Sequence, residues 1–230
     1  MAIVDFSGLN NPVWAALTGA HAHLAEGQGL ARLYPHEISP FAGICSPEPE
    51  ALNALKALLL PGNGAVLVAT GALPAVPGLS LEPMFKVRQM IDTRPPVDNP
   101  AERFARFGPK DAPEMLDLAQ RTKPGPFGIR TREMGNYIGL RHEGQLIAMA
   151  GERFRLEGYT EISAVCVDDA WRGRGIASRL MSQLRKEIHD RGETPFLHVR
   201  DDSLPTIGLY ERLGFSTRAV FQLYKASRTL

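Results

Sequence analysis

Val165-Cys166-Val167-Asp168-Asp169-Ala170-Trp171-Arg172-Gly173-Arg174-Gly175-Ile176-Ala177 reads as a buried strand, a polar bend, a glycine-rich loop and the opening of an amphipathic helix. A helix N-terminus leaves its first N–H groups without intrahelical partners and carries the positive end of the helix dipole. Such an end suits a phosphate or pyrophosphate. Gly173 and Gly175 have no Cβ, so ligand and backbone can come close, and Arg172 and Arg174 add positive charge. Ile176, Leu180, Leu184 and Ile188 recur every fourth residue, which predicts one helix face packed on a sheet. Gly192 is the expected stop of that helix.

Downstream, residues 196–200 read as the next strand, reached by a right-handed crossover and parallel to the strand before the loop. Ser203 opens a last helix, Gly214 closes it, and residues 219–225 form a final strand. Upstream, residues 137–140 and 145–154 read as strands joined at His142-Glu143-Gly144, and Glu157-Gly158 turns into the strand holding Glu161. Asp111 with Glu114 predicts a capping box before inward-facing Met115, Leu118 and Ala119, and Lys123-Pro124-Gly125-Pro126 ends that helix. A meander followed by strand-helix-strand-helix-strand predicts an α/β (α+β) fold on a mixed sheet.

The run Thr93-Arg94-Pro95-Pro96-Val97-Asp98-Asn99-Pro100 breaks every periodic pattern, so the chain is expected to divide into residues 1–100 and 101–230. In the first part, Asn11-Pro12 starts a helix carrying Val13, Trp14, Leu17 and Leu24. Ser46-Pro47 starts another with Leu52, Leu55, Leu58 and Leu59 on one stripe. Pro61-Gly62-Asn63-Gly64 stops it, and residues 65–70 read as a short buried strand. This part is expected to be an α/β extension that covers one face of the second.

Arg172, Gly175 and Ala177 fit the pattern Q/R-x-x-G-x-G/A, and Ile207-Gly208-Leu209-Tyr210-Glu211-Arg212-Leu213-Gly214-Phe215 fits Ala/Ile-x-Leu-Tyr-x-x-Leu-Gly-Phe. Together with Glu161-Ile162-Ser163-Ala164-Val165-Cys166-Val167, these segments resemble the GNAT superfamily of N-acetyltransferases, its FR47-like branch in particular. The resemblance covers residues 109–230 well. Residues 1–100 resemble only the degenerate or accessory N-terminal half of some FR47-like proteins. It implies the GNAT acyl-CoA N-acyltransferase fold with an N-terminal α/β extension, acetyl-CoA as co-substrate, and direct acetyl transfer to a small-molecule amine, amino acid or peptide amine.

The resemblance also implies roles. Main-chain groups of Val165, Cys166 and Val167 would hold the pantetheine arm and acetyl carbonyl. Arg172, Gly173, Arg174, Gly175, Ile176 and Ala177, with Ser178 at the edge, would wrap the pyrophosphate. Tyr210 matches the tyrosine near the CoA sulfur and is the expected acid for the leaving thiolate. Glu161 resembles the glutamate that serves as base in some members, with Glu152 or water alone as alternatives. By strand alternation Glu161 is expected to share a face with Ser163, Val165 and Val167. The chain departs from the family at Ser203, where many relatives carry an Asn that contacts the pantetheine arm or helps order the site.

Other residues receive plainer readings. Cys166 lies beside the expected thioester, but no His is positioned by sequence to activate it, so it reads as a small buried hydrophobe. His142 reads as a turn residue, His21 and His23 as helix-surface residues, and Arg153 and Arg155 as solvated strand faces. A non-catalytic acyl-CoA-binding or regulatory module, or an O- or longer-chain acyltransferase, would carry the same loop. Lys plus Arg is 26 against 25 for Asp plus Glu, which gives no bulk charge for nucleic acid or an acidic membrane. Two cysteines make no disulfide framework and no zinc spacing, so no metal is expected. The apolar runs are too short to span a bilayer and Met1-Ala2-Ile3-Val4-Asp5 lacks a basic signal region. A cytoplasmic protein is expected, and a homodimer is left open.

Overall fold

The computed structural model describes residues 6–94 and 104–229. Pro95 to Pro100 of the expected boundary, and the first five residues, lie outside the described residues. The chain runs α1 (Ser7–Asn10), α2 (Pro12–Thr18), β1 (Ala31–Leu33), β2 (Ala42–Ile44), α3 (Pro49–Leu58), β3 (Gly64–Ala69) and β4 (Leu79–Asp92). It continues through β5 (Ala105–Arg106), α4 (Ala112–Thr122), β6 (Tyr137–His142), β7 (Gln145–Leu156) and β8 (Tyr159–Val167). Last come α5 (Ile176–Asp190), β9 (Thr194–Arg200), α6 (Leu204–Leu213) and β10 (Phe215–Arg228).

Eight strands form one mixed sheet in the order β3-β10-β4-β9-β8-β7-β6-β5. Only β8 and β9 are parallel; the other pairs are antiparallel. The long strand β4 lies between β10 and β9, so the sheet runs across the sequence division near residue 100. Sequence patterning gave no sign of β4. Its Pro83 and the polar Glu82, Lys86 and Arg88 interrupt alternation, and its buried residues concentrate at Val87, Gln89, Met90 and Asp92.

Apolar clusters cover both sheet faces. One joins Ile176, Leu180, Leu184 and Ile188 of α5 to Ile162, Val167, Leu197 and Phe215. The opposite face packs α1, α2 and Tyr34 on Phe154, Phe196 and Phe221, and α4 on Met149, Ala164 and Cys166. A fourth cluster packs α3 on β3 and β10. Among the described residues no helix is long and apolar enough to cross a membrane.

Several local expectations are corrected. The helix from Pro12 ends at Thr18, and Leu24 sits in a separate 3-10 turn. The helix expected from Ser46-Pro47 begins at Pro49. The capping box does not form: Asp111 accepts instead from the Gly108 N–H (2.8 Å) and pairs with Arg141, as does Glu114. Ser203 precedes α6, but its hydroxyl donates to Thr206 Oγ1 rather than capping the helix (2.8 Å). His21 is buried, with Nδ1 2.8 Å from the Tyr34 hydroxyl, and desolvation lowers its pKa to about 4.

Candidate active site

The site begins where two strands part. β8 and β9 pair through Tyr159–Thr194, Thr160–Pro195 and Glu161–Phe196, and no further. Beyond that point β8 is held by β7 on its other edge, while β9 is held by β4. The edge of β8 carrying Val165, Cys166 and Val167 therefore faces β9 without a ladder. Unpaired strand edges present N–H and C=O groups that demand partners.

A bulge shapes that edge. β7 sets Met149 against Cys166 and Gly151 against Ser163, so β8 carries one residue more than its partner. Ala164 absorbs it with a φ of 51°, in the left-handed region that a non-glycine residue seldom adopts. The extra residue reverses the alternation. Ile162, Val165 and Val167 pack against α5, whereas Ala164 and Cys166 pack under α4. The expectation that Glu161 shares a face with Val165 and Val167 is thus corrected.

The loop after β8 is braced from several sides. Asp168 Oδ1 accepts from the Ala170 N–H (3.1 Å), and Arg121 of α4 pairs with the same carboxylate. Arg172 donates to the Val167 carbonyl (3.3 Å) and pairs with Asp169 (2.7 Å). The Arg174 guanidinium lies 4.5 Å from the centroid of Trp171, and the His142 ring lies 4.4 Å from the same ring. Gly173 and Gly175 have φ values of 75° and 72°, and a Cβ built at either meets nothing within 4 Å. Glycine serves backbone conformation here, and the space beside it is open. No side chain caps the N-terminus of α5 and its first turn holds no acidic residue, so Ile176, Ala177 and Ser178 offer their N–H groups beside that space.

Tyr210 packs in the same cluster as Val165, Val167, Ile176, Ala177 and Leu213. Its ring meets Phe215 at 6.2 Å and 63°, and burial pushes its pKa up to about 12. It is a neutral phenol at physiological pH, able to donate. Among the described residues its hydroxyl has no hydrogen-bond partner in the protein. Cys166 is buried, and its thiol is pushed up, chiefly by desolvation.

Glu161 sits elsewhere. It is fully buried and forms a bidentate pair with Arg153 (2.6 and 2.8 Å), while His198 Nδ1 lies 2.7 Å from Oε1. Burial alone would raise its pKa; the charge of Arg153 and the hydrogen bonds from Arg153 and His198 outweigh that and hold it down to about 2. Arg153 is buried too, its guanidinium 4.8 Å from the Phe154 centroid and 5.2 Å from that of Phe41, so its reading as a solvated residue is corrected. Arg155 does reach the surface, where it pairs with Glu193.

His198 continues the network. Its Nε2 lies 3.2 Å from Gln89 Nε2, whose amide oxygen accepts from Arg218 (2.5 Å). That amide orientation leaves Gln89 Nε2 donating, so the proton of His198 belongs on Nδ1, toward Glu161. Glu152 lies opposite Ile162, on the α5 side of the sheet, where it meets Arg191 (2.8 Å) and Asn136 (3.0 Å). The two glutamates therefore face different layers. Arg153, His198 and Gln89 had no motif to reveal them. The one available signal was an isolated histidine within the apolar strand 196–199.

Comparisons with known proteins agree with this architecture. The family described as FR47-like protein matches residues 137–224. A crystal structure from Novosphingobium aromaticivorans, described as an acetyltransferase from the GNAT family, superposes with a TM-score of 0.89 at 33% identity, over 96% of this chain and 99% of that one. The chain belongs to the GNAT acetyltransferase family, and its matched segment to the FR47-like group. A GCN5-related N-acetyltransferase-like protein from Streptococcus suis shares the fold, with a TM-score of 0.59 at 17% identity over 94% of this chain and 92% of its own. In sequence, the chain is 31% identical over 162 residues to an uncharacterised protein of Mycobacterium leprae, covering 63% of this chain and 44% of that protein. It is 36% identical over 101 residues to the N-alpha-acetyltransferase RimI of Mycobacterium tuberculosis, covering 40% of this chain and 61% of RimI. The chain thus spans about half the length of these curated relatives.

Proposed function

We propose that this protein transfers the acetyl group of acetyl-CoA directly to an amine. The observation that carries the reading is the unladdered edge of β8 running straight into a loop whose two glycines border open space at an uncapped helix N-terminus. In this reading Val165, Cys166 and Val167 hold the pantetheine arm and thioester. Arg172, Gly173, Arg174, Gly175, Ile176, Ala177 and Ser178 surround the pyrophosphate. The acetyl-CoA residues fit the group: open backbone at one end, N–H donors and two arginines at the other.

The amine nitrogen attacks the carbonyl carbon, a C–N bond forms, and the C–S bond breaks. Tyr210 gives its proton to the departing sulfur, and the proton lost by the amine restores the phenol through solvent. Glu161 belongs to the same machinery in a changed role. A carboxylate held near a pKa of 2 by a buried arginine takes a proton poorly. Each pKa unit is worth ~1.4 kcal/mol, so protonating it at neutral pH costs several kcal/mol. We assign it the role of a fixed negative charge that positions His198 and Arg153, with water receiving the amine proton. Cys166, buried and held as a thiol, forms no acyl intermediate.

The name of the Mycobacterium tuberculosis relative makes a peptide α-amino group the first acceptor to test, beside amino acids and small amines. The test is a panel of such amines incubated with acetyl-CoA, with products read by mass spectrometry. Acetyl-CoA that raises the melting temperature without any acetylated product would instead identify an acyl-CoA-binding module.

A further inference from the structure

Resting on that reading, we propose that the hydroxyl of Tyr137 receives the acceptor amine and aims its lone pair at the thioester. The Tyr137 hydroxyl is buried and has no hydrogen-bond partner among the described residues. Buried hydroxyls almost always find one, and a native protein that leaves such a group unpaired gives up stability at that point. The surroundings show where it is directed. Tyr137 on β6 stands opposite Gly151 on β7, which stands opposite Ser163 on β8, so the three share one face with Glu161. A Cβ at Gly151 would lie 2.2–2.6 Å from the Tyr137 ring. The absent side chain lets the ring lie flat across β7. Its far end thereby approaches β8 beside the Ala164 bulge, in the cluster that holds Ala164 and Cys166.

The chemistry suits an amine. Burial raises the phenol above its ordinary range, with Glu161, Glu152 and Cys166 adding to that effect and Arg153 opposing it. The hydroxyl therefore stays neutral, with an oxygen lone pair to accept an amine N–H. An amine held by one N–H keeps its own lone pair free for attack. The half-buried Phe127 stands edge-on to the Tyr137 ring at 5.8 Å. It follows Pro124-Gly125-Pro126, where Gly125 has a φ of 137°.

The test is Tyr137→Phe, which keeps the ring and removes only the hydroxyl. The probes are n-butylamine and a short peptide with a free α-amino group, each with acetyl-CoA. The variant is expected to melt no lower than the wild type, to keep its acetyl-CoA-induced stabilisation, and to show a KM for both amines raised about tenfold, as loss of one hydrogen bond implies. A lowered melting temperature would show that the hydroxyl has a structural partner and would overturn the inference. An unchanged KM and kcat in the variant, beside a wild type that does acetylate either amine, would overturn it while leaving the proposed function standing. A wild type that binds acetyl-CoA and acetylates neither probe would overturn the amine-transfer reading and this inference together.

Discussion

Replacing Glu161 by Gln tests the least expected feature of the site. The substitution keeps shape and removes charge, leaving the Arg153 guanidinium buried beneath Phe41 and Phe154 with a neutral amide in place of its bidentate partner. Breaking a buried pair from one side costs about 3–5 kcal/mol, because the remaining ion keeps its desolvation penalty. Against a total stability of roughly 5–15 kcal/mol, that is a large fraction. Urea unfolding followed by circular dichroism should show the midpoint falling by about 1.5–2.5 M for a slope near ~2 kcal/mol/M. Arg153→Met combined with Glu161→Leu should recover much of the loss, since apolar replacement of a buried pair is often neutral. The acid limb gives a second reading. Glu161 is held below its ordinary value of 4.5, at about 2, so its contribution is complete above pH 4.5 and disappears as pH falls toward 2. The Gln variant should lack that part of the acid dependence. A stability change below ~1 kcal/mol would refute the ion-pair reasoning. In activity, the variant's pH–rate profile from pH 6 to 10 should run parallel to the wild type; selective recovery of the variant at high pH would restore Glu161 as the base.

Three further outcomes are expected. Gly175→Glu should abolish the acetyl-CoA-induced rise in melting temperature, because its side chain fills the open space with negative charge, whereas Gly175→Ala should lose only ~1–2 kcal/mol to the left-handed backbone and keep the shift. Tyr210→Phe should lower single-turnover acetyl transfer by at least ~10-fold while acetyl-CoA affinity measured by calorimetry stays within a factor of two. In the folded protein a disulfide reagent should label half-buried Cys45 well before Cys166, whose buried thiol is held protonated; equal rates would contradict the structural reading of Cys166.

The parts of this fold that follow regular periodicity were legible in the sequence. The fourfold spacing of Ile176, Leu180, Leu184 and Ile188 specified α5 and its buried face, and Gly192 and Gly214 took the positive φ values that helix ends favour. The glycine loop ahead of α5 was legible because backbone conformation there demands glycine. β4 was not, since a strand flanked on both sides draws its stability from neighbours, and its sequence holds a proline and several charges. The buried charges were illegible for a different reason. Arg153 and Glu161 look solvated singly, and only their bidentate contact makes burial tolerable.

That contact depends on two irregularities that offset each other. Near its C-terminal end β7 carries one extra residue: Glu152 opposes Ile162 and Arg155 opposes Thr160, so Arg153 and Phe154 together oppose Glu161 alone. The bulge turns the Arg153 side chain toward Glu161 and brings the Phe154 N–H to 3.5 Å from the same carboxylate. Four residues of β8 span Ser163 to Cys166 against three of β7 from Met149 to Gly151, which restores the register with Ala164 as the extra residue. Simple alternation carried through both strands would have put Glu161 beside Val165 and Val167, on the α5 side. With the paired bulges, the charge hub lies under α1 and α2, while the side chains of Val165 and Val167 pack with α5 and Tyr210. The strand between these two layers is the one whose other edge is free of a ladder. A substrate on that edge would have the Tyr210 phenol on the α5 side as its proton donor, while on the other side Glu161, fully buried and paired with Arg153, would hold the geometry of the strand without touching the substrate.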